Sequence, residues 1–230
     1  MPRALVVGAS DGIGLAVARK LVVAGWHVTT VSRRPTPIEH ERHVTAVLDV
    51  RDAGYRRELA ALLAAQAELD VAIYCAGIGD VLDATTMQPE HDVFAVNLLG
   101  AVATGEVVLP RMVAAGRGHF VALSSLADVM ISPLTPSYSA SKAGLSSWLS
   151  GMSLAMKPRG VTITNVRFGF VDTKMAKSPS KPFMISVDRA AAHVMRAIRT
   201  RPFRLSRPWP MVALVWFLAH YLRLRLFLSG

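Results

Sequence analysis

Seven short apolar runs, most of them followed by a helical pattern, constrain this chain more than any other feature. Arg3 to Val7 is the first, stopped by Gly8, and a helical pattern follows from Gly12 to Ala24 before Gly25 ends it. His27 to Ser32, Val44 to Leu48, Val71 to Tyr74, His119 to Ser124 and Val161 to Arg167 read as further strands, and Phe203 to Leu205 as a short last one. Helical patterns run from Asp52 to Glu68, around 90–114, around 138–156 and from Val187 to Thr200. Strands that are apolar throughout are covered on both faces, and alternation with helices makes them parallel. The expected fold is α/β, a doubly wound parallel sheet. Such a sheet binds ligands at the carboxyl ends of its strands, where strand order reverses.

The 230 residues suit one domain, and 52% hydrophobic with 18% charged residues excludes a disordered or fibrous chain. Residues 1–200 are expected to form the ligand-binding domain, and 201–230 a final strand with an apolar, basic helix. The single cysteine, Cys75, excludes an internal disulfide framework and suits a reducing compartment. Met1-Pro2-Arg3 leads into a strand rather than a signal sequence, so a cytoplasmic location is expected. The net charge of +10 is unevenly spread: residues 189–230 hold eight arginines and no acid. Those arginines are interleaved with Trp, Phe and Leu, which points to a membrane surface or an acidic partner before a nucleic acid. No groove-reading helix or stacking platform is evident, and the seven histidines show no metal-ligand spacing. Neither nucleic acid nor a metal is expected.

Gly8-Ala9-Ser10-Asp11-Gly12-Ile13-Gly14 lies between the first strand and the first helix. Glycines there permit a tight turn and close approach of a ligand, and the helix N-terminus offers free N–H groups to a phosphate. A plain structural turn is the competing explanation. Farther on, Tyr138 and Lys142 stand four apart on a helix and so share a face. An ammonium beside a phenol favours the phenolate, which lowers a phenol pKa that is ordinarily about 10.

The spacing of the glycines resembles the short-chain dehydrogenase/reductase family, and the likeness continues in order to about residue 200. Asp49-Val50, Cys75-Ala76-Gly77, Asn97, Ser125, Tyr138-Ser139-Ala140-Ser141-Lys142 and Gly169-Phe170-Val171-Asp172-Thr173 all fall at the family's motif positions. The resemblance implies a Rossmann-like fold and hydride transfer between a nicotinamide cofactor and a carbonyl or secondary alcohol. It implies that Tyr138 is the acid/base, Ser125 holds the reacting oxygen, Lys142 bonds the nicotinamide ribose and Asn97 keeps a relay water near Lys142. Gly8, Ser10, Asp11, Gly12, Ile13 and Gly14 would then cradle the cofactor phosphates. Asp49 and Val50 would contact the adenine. Ala76, Gly77, Asn97, Tyr138, Lys142, Gly169, Val171 and Thr173 would complete the cofactor site. Three positions depart from the family pattern: Val7 for a threonine, Cys75 for an asparagine and Phe168 for a proline. None removes a catalytic side chain.

The second strand ends in Ser32-Arg33-Arg34, where an acid would select NAD by bonding the ribose hydroxyls. Two guanidinium groups suit a 2′-phosphate instead, so NADP(H) is expected, with Ser32, Arg33 and Arg34 in the cofactor site. Lys174 to Ser186 is expected to be a loop and short helix over the substrate. Its Met175, Phe183, Met184 and Ile185 suggest an apolar lid, while Lys174, Lys177 and Lys181 leave a charged substrate open. A lipophilic carbonyl or alcohol is the favoured substrate. A catalytically silent cofactor-binding sensor or scaffold of the same fold is the rival reading. Family members commonly form dimers or tetramers through helices like those around 97–114 and 138–156, and a homo-oligomer is expected here. Residues 209–228 form an apolar, basic helix with three readings: an anchor lying on a membrane surface, a dimer or domain-packing helix, or a span. About 18 helical residues reach only about 27 Å, short of a comfortable crossing.

Overall fold

The computed structural model describes residues 1–66, 68–88, 90–176 and 180–228, without the side chains of 223 and 226. Strands β1 (Arg3–Val7), β2 (His27–Ser32), β3 (His43–Val47), β4 (Val71–Tyr74), β5 (Gly118–Ser125), β6 (Val161–Phe168) and β7 (Arg204–Arg207) form one sheet in the order β3-β2-β1-β4-β5-β6-β7. Every pairing is parallel. The order reverses between β1 and β4, so the crevice for a ligand opens above Val7 and Tyr74.

Side chains alternate across the strands and build two apolar layers. Ala4, Val6, Ile73 and Val121 face α1 (Gly12–Val23) and α6 (Val187–Thr200). Leu5, Val7, Ala72 and Phe120 face α2 (Tyr55–Ala64), α4 (Gly100–Ala114) and α5 (Pro136–Met156). α5 starts two residues earlier than its apolar pattern, because Pro136 sits in its first turn, where a missing N–H costs nothing. α2 is shorter than expected, beginning at Tyr55 after a turn at 51–54.

The helix expected around 90–114 is three pieces: α3 (Glu90–Phe94), a π-helical turn (Ala95–Leu99) and α4. The wider turn swings Asn97 into the interior, where it is fully buried. A 3₁₀ turn, Leu126–Val129, follows β5. The short helix expected within 174–186 does not form among the described residues. That segment turns at Lys174 and again at Phe183 and returns to the fold through a bridge between Val171 and Ile185. The last element among the described residues is α7 (Trp209–Leu228), which leaves the sheet at the carboxyl end of β7.

Candidate active site

The glycine turn is built by close packing at the point where strand order reverses. Gly8 has φ of +85°, and a Cβ there would lie 2.4 Å from the Ala76 nitrogen, so only glycine fits. Ser32 supports the turn from below: its buried hydroxyl accepts from the Ala9 N–H (2.7 Å) and the Ser10 N–H (3.1 Å) and donates to the Val31 carbonyl (2.8 Å). Arg33 and Arg34 are exposed beside it. Arg33 lies near enough to Asp49, and Arg34 to Asp11, to favour the carboxylate of each.

Asp11 caps α1 by accepting from the Gly12 N–H at 2.7 Å. It also meets Lys174, from the loop after β6, at 2.7 Å. That hydrogen bond, followed by the Gly12 amide, holds the Asp11 carboxyl below its ordinary range. The pair ties the two walls of the crevice together. Between those walls Gly12 faces the Thr173 methyl, with space enough that a Cβ would make only ordinary contact at 3.6 Å. Gly169 and Val171 line the same loop, Gly169 lying against Met211 and Leu126, with Val171 buried. The N-terminus of α1, capped by Asp11 only at the Gly12 amide, the close-packed turn and the facing loop make a cradle that fits a dinucleotide. Asp49 accepts three side-chain hydrogen bonds from Arg51, which also reaches Asp92. Arg51 keeps the Asp49 carboxyl below its ordinary range. Val50, the next residue, packs against Gly100.

Asn97 fixes the loop that follows β4. Its Oδ1 accepts from the Ile78 N–H (2.8 Å), and its Nδ2 donates to the Ile78 carbonyl (2.9 Å) and the Ser141 hydroxyl (3.1 Å). The next glycine, Gly79, lies on the Tyr138 ring so closely that a Cβ would meet its Cδ2 at 2.8 Å. Asn97 thus sets the position of Tyr138 through two intervening residues. Gly77 faces both the Asn97 Oδ1 and the Lys142 ammonium.

Ser125, Tyr138 and Lys142 come together at the carboxyl end of β5. The Tyr138 hydroxyl lies beside Ser125, near enough for the serine to favour the phenolate, and the Ser125 hydroxyl donates to the Phe168 carbonyl at 3.3 Å. The buried Lys142 ammonium donates to the Leu123 carbonyl at 3.0 Å and lies 5.9 Å from the Tyr138 ring centroid. Burial brings Lys142 down to about 8. Tyr138 moves the other way from the sequence expectation: burial raises its pKa, and Ser125 offsets only part of the rise. Burial also pushes the Cys75 thiol up to about 12, so it is not poised as a nucleophile.

Behind these residues lies a polar network that sequence reasoning missed. Asp128, in the turn after Ser125, forms a buried two-pronged ion pair with Arg167 of β6. Ser146 donates to Asp128 at 2.6 Å, and Ser124 reaches both Ser146 (2.9 Å) and the Lys142 carbonyl (3.2 Å). Ser124 therefore faces the support while Ser125 faces the site. One faint signal existed in the sequence: Asp128 is the lone charge in the stretch from Phe120 to Leu134. Lys177, expected near the substrate, lies outside the described residues. Among the described residues no cluster of His, Cys, Asp and Glu could hold a metal.

This arrangement defines a nicotinamide-dependent oxidoreductase site on a doubly wound sheet. A sequence model of the short chain dehydrogenase family matches residues 2–182, and the chain belongs to that family. It is 32% identical over 222 residues to an uncharacterized oxidoreductase of Myxococcus xanthus, covering 90% of this chain and 88% of that one. It is 30% identical over 193 residues to a very-long-chain 3-oxoacyl-CoA reductase of Aspergillus fumigatus, covering 76% of this chain but only 55% of that reductase. The chain thus spans about half the length of the fungal protein. A short-chain dehydrogenase from Streptomyces avermitilis superposes with a TM-score of 0.85 at 26% identity, covering 98% of this chain and 95% of that one. An alcohol dehydrogenase from Thermococcus sibiricus, solved with 5-hydroxy-NADP, gives 0.77 at 25% identity, covering 90% and 95%.

Proposed function

We propose that this protein is an NADP(H)-dependent reductase of lipophilic carbonyl compounds, able to run in reverse on the matching secondary alcohols. The observation that carries the reading is the convergence of Ser125 and Tyr138 at the carboxyl end of β5, with the Lys142 ammonium buried beside them. The bound dinucleotide supplies or takes up the hydride.

The protein residues supply the rest. Tyr138, kept protonated by burial, donates its proton to the carbonyl oxygen as that oxygen gains charge. Ser125 holds the same oxygen by a second hydrogen bond. Lys142 binds the nicotinamide ribose, and its charge stabilises the phenolate left on Tyr138. Asn97 keeps a relay water beside Lys142 while pinning the loop at Ile78. Gly8, Ser10, Gly12, Ile13 and Gly14 receive the phosphates at the start of α1. Asp49 and Val50 border the adenine. Ala76, Gly77, Gly169, Val171 and Thr173 enclose the nicotinamide end.

NADP(H) is favoured by Arg33 and Arg34, exposed where an acid would otherwise repel a 2′-phosphate. Ser32 contributes by holding the turn. The Thermococcus alcohol dehydrogenase bound to 5-hydroxy-NADP and the fungal acyl-CoA reductases are in keeping with this choice of cofactor and a fatty substrate. Residues 1–200 carry this chemistry, and residues 201–230 supply a surface. The working form is a homodimer or tetramer through α4 and α5, which light scattering reads directly. Intact Ser125, Tyr138 and Lys142 disfavour a silent sensor, which has no need of all three.

A fluorescence titration with NADPH and NADH tests the reading. NADPH is expected to bind more tightly, by about tenfold or more, and Arg33→Ala with Arg34→Ala to erase the difference. Equal affinities in the parent protein would overturn the cofactor assignment. Binding of neither by folded protein would overturn the enzyme.

A further inference from the structure

The exposed apolar residues of this chain are not scattered. Among the described residues, sixteen of the twenty-three exposed large hydrophobics lie in the segments that leave β4, β5, β6 and β7 at their carboxyl ends. Those are the segments that surround the active site. Val81, Leu134, Phe183 and Met184 stand on its loops, and the largest group is on α7.

α7 is apolar on all sides. One stripe, centred on Val215 (5% exposed) and Ala219 (3% exposed), packs on the fold. Met211 at its start lies against Gly169 and Leu126, next to Ser125 and the loop expected to enclose the nicotinamide. The opposite side presents Trp216, Phe217 (68% exposed), Tyr221 and Phe227 (84% exposed) to the surroundings. A helix hydrophobic all round belongs in a core or in lipid, and α7 is half in a core. Its uninterrupted apolar part, Trp209–Leu222, spans about 21 Å, too short to cross a bilayer of about 30 Å. Lying flat suits that length.

Charge selects the occupant. α7 itself carries Arg223 and Arg225 and no acid, so a self-complementary contact of this helix with a second copy would set arginine against arginine. An anionic lipid surface accepts both the apolar side and the charge.

We propose that α7 and the apolar loops around the crevice seat this protein on an anionic bilayer with the substrate mouth toward the lipid, so that a lipophilic carbonyl enters from the membrane. The docking surface stands independently of the enzymatic reading, whereas the entry route rests on it.

Flotation of the full chain with vesicles of phosphatidylcholine, alone or mixed equally with phosphatidylglycerol, tests the surface. Binding is expected on the mixed vesicles. The double variant Phe217→Ser, Phe227→Ser should weaken it at least about tenfold. Arg225→Gln should weaken it about fivefold on mixed vesicles and leave binding to neutral ones unchanged. Folded protein that floats with neither vesicle overturns the proposal, as does a dimer that Phe217→Ser dissociates. Turnover of 2-dodecanone with NADPH then tests the entry route. Vesicles should raise it in the parent chain and not in the double variant, and equal stimulation of both would overturn entry from lipid. Flotation with no turnover of any carbonyl would leave the surface standing and remove the reductase reading together with the entry route.

Discussion

Burial decides the protonation of Tyr138 and Lys142. Spacing alone puts an ammonium beside a phenol and argues for an easily ionised tyrosine. In the fold Lys142 is buried and Tyr138 partly so, and each is pushed toward its neutral form: the phenol upward and the ammonium down to about 8. Lys142 spends a hydrogen bond on the Leu123 carbonyl rather than on the phenol. The consequence is a definite pH profile. The positive charge on Lys142 is present below about pH 8 and lost above it, while Tyr138 keeps its proton throughout that range. kcat/KM for carbonyl reduction should therefore fall as pH rises through about 8, as measured by initial rates at subsaturating substrate. A profile flat from about pH 6 to 10 would mean that the Lys142 charge is not used. Ser32 carries a similar lesson. Its place at the end of β2 was legible, but its hydroxyl is spent on the Ala9 and Ser10 amides, a pairing across 22–23 residues that no local pattern announces.

At the scale of elements, the turn after β5 is held by chemistry from a neighbouring strand. Asp128 and Arg167 pair behind Ser125, with side chains only 3% and 10% exposed. Removing one partner strands a buried charge. Asp128→Ala should cost about 3–5 kcal/mol in denaturant unfolding. The double replacement Asp128→Leu, Arg167→Met should recover much of that loss, because no charge is then left unpaired. A single variant that unfolds like the parent would show that the pair contributes nothing. The strand and helix assignments were legible because each rests on a short-range period. The π turn at Asn97 was not, since an extra residue in a helix leaves no mark on an apolar pattern as short as this one. The 174–186 segment failed as a helix for a related reason. Pro182 and the positive φ of Phe183 break it, and Ile185 joins Val171 instead.

Across the whole molecule, acid stability should depend on a residue far from the chemistry. His119, the second residue of β5, lies at the amino ends of the strands, opposite the active site, and bonds Thr164 of β6 at 2.8 Å. The Thr164 hydroxyl donates to the Pro202 carbonyl, so the His119 Nε2 carries the proton toward Thr164. Burial lowers His119 to about 4 from an ordinary 6.5. Between those values the unfolded chain binds a proton that the folded chain refuses, so stability falls as pH drops from 6.5 toward 4. The full effect is of order 3 kcal/mol. His119→Gln keeps a donor for Thr164 and removes the titration. Its unfolding free energy should be flatter than that of the parent between about pH 6.5 and 4, and identical slopes would remove His119 as the cause.

The sequence by itself determined the doubly wound sheet, the glycine turn above β1 and the shared face of Tyr138 and Lys142, because these are carried by strand and helix periods and by residues a few positions apart, while Asn97 and Ser125 were singled out by the family resemblance. The direction of the Tyr138 shift, the pairing of Asp128 with Arg167 and the inward stripe of α7 were decided only by the tertiary structure. Each depends on which distant segments exclude water from a side chain, and burial is a property of the assembled layers rather than of any stretch of chain.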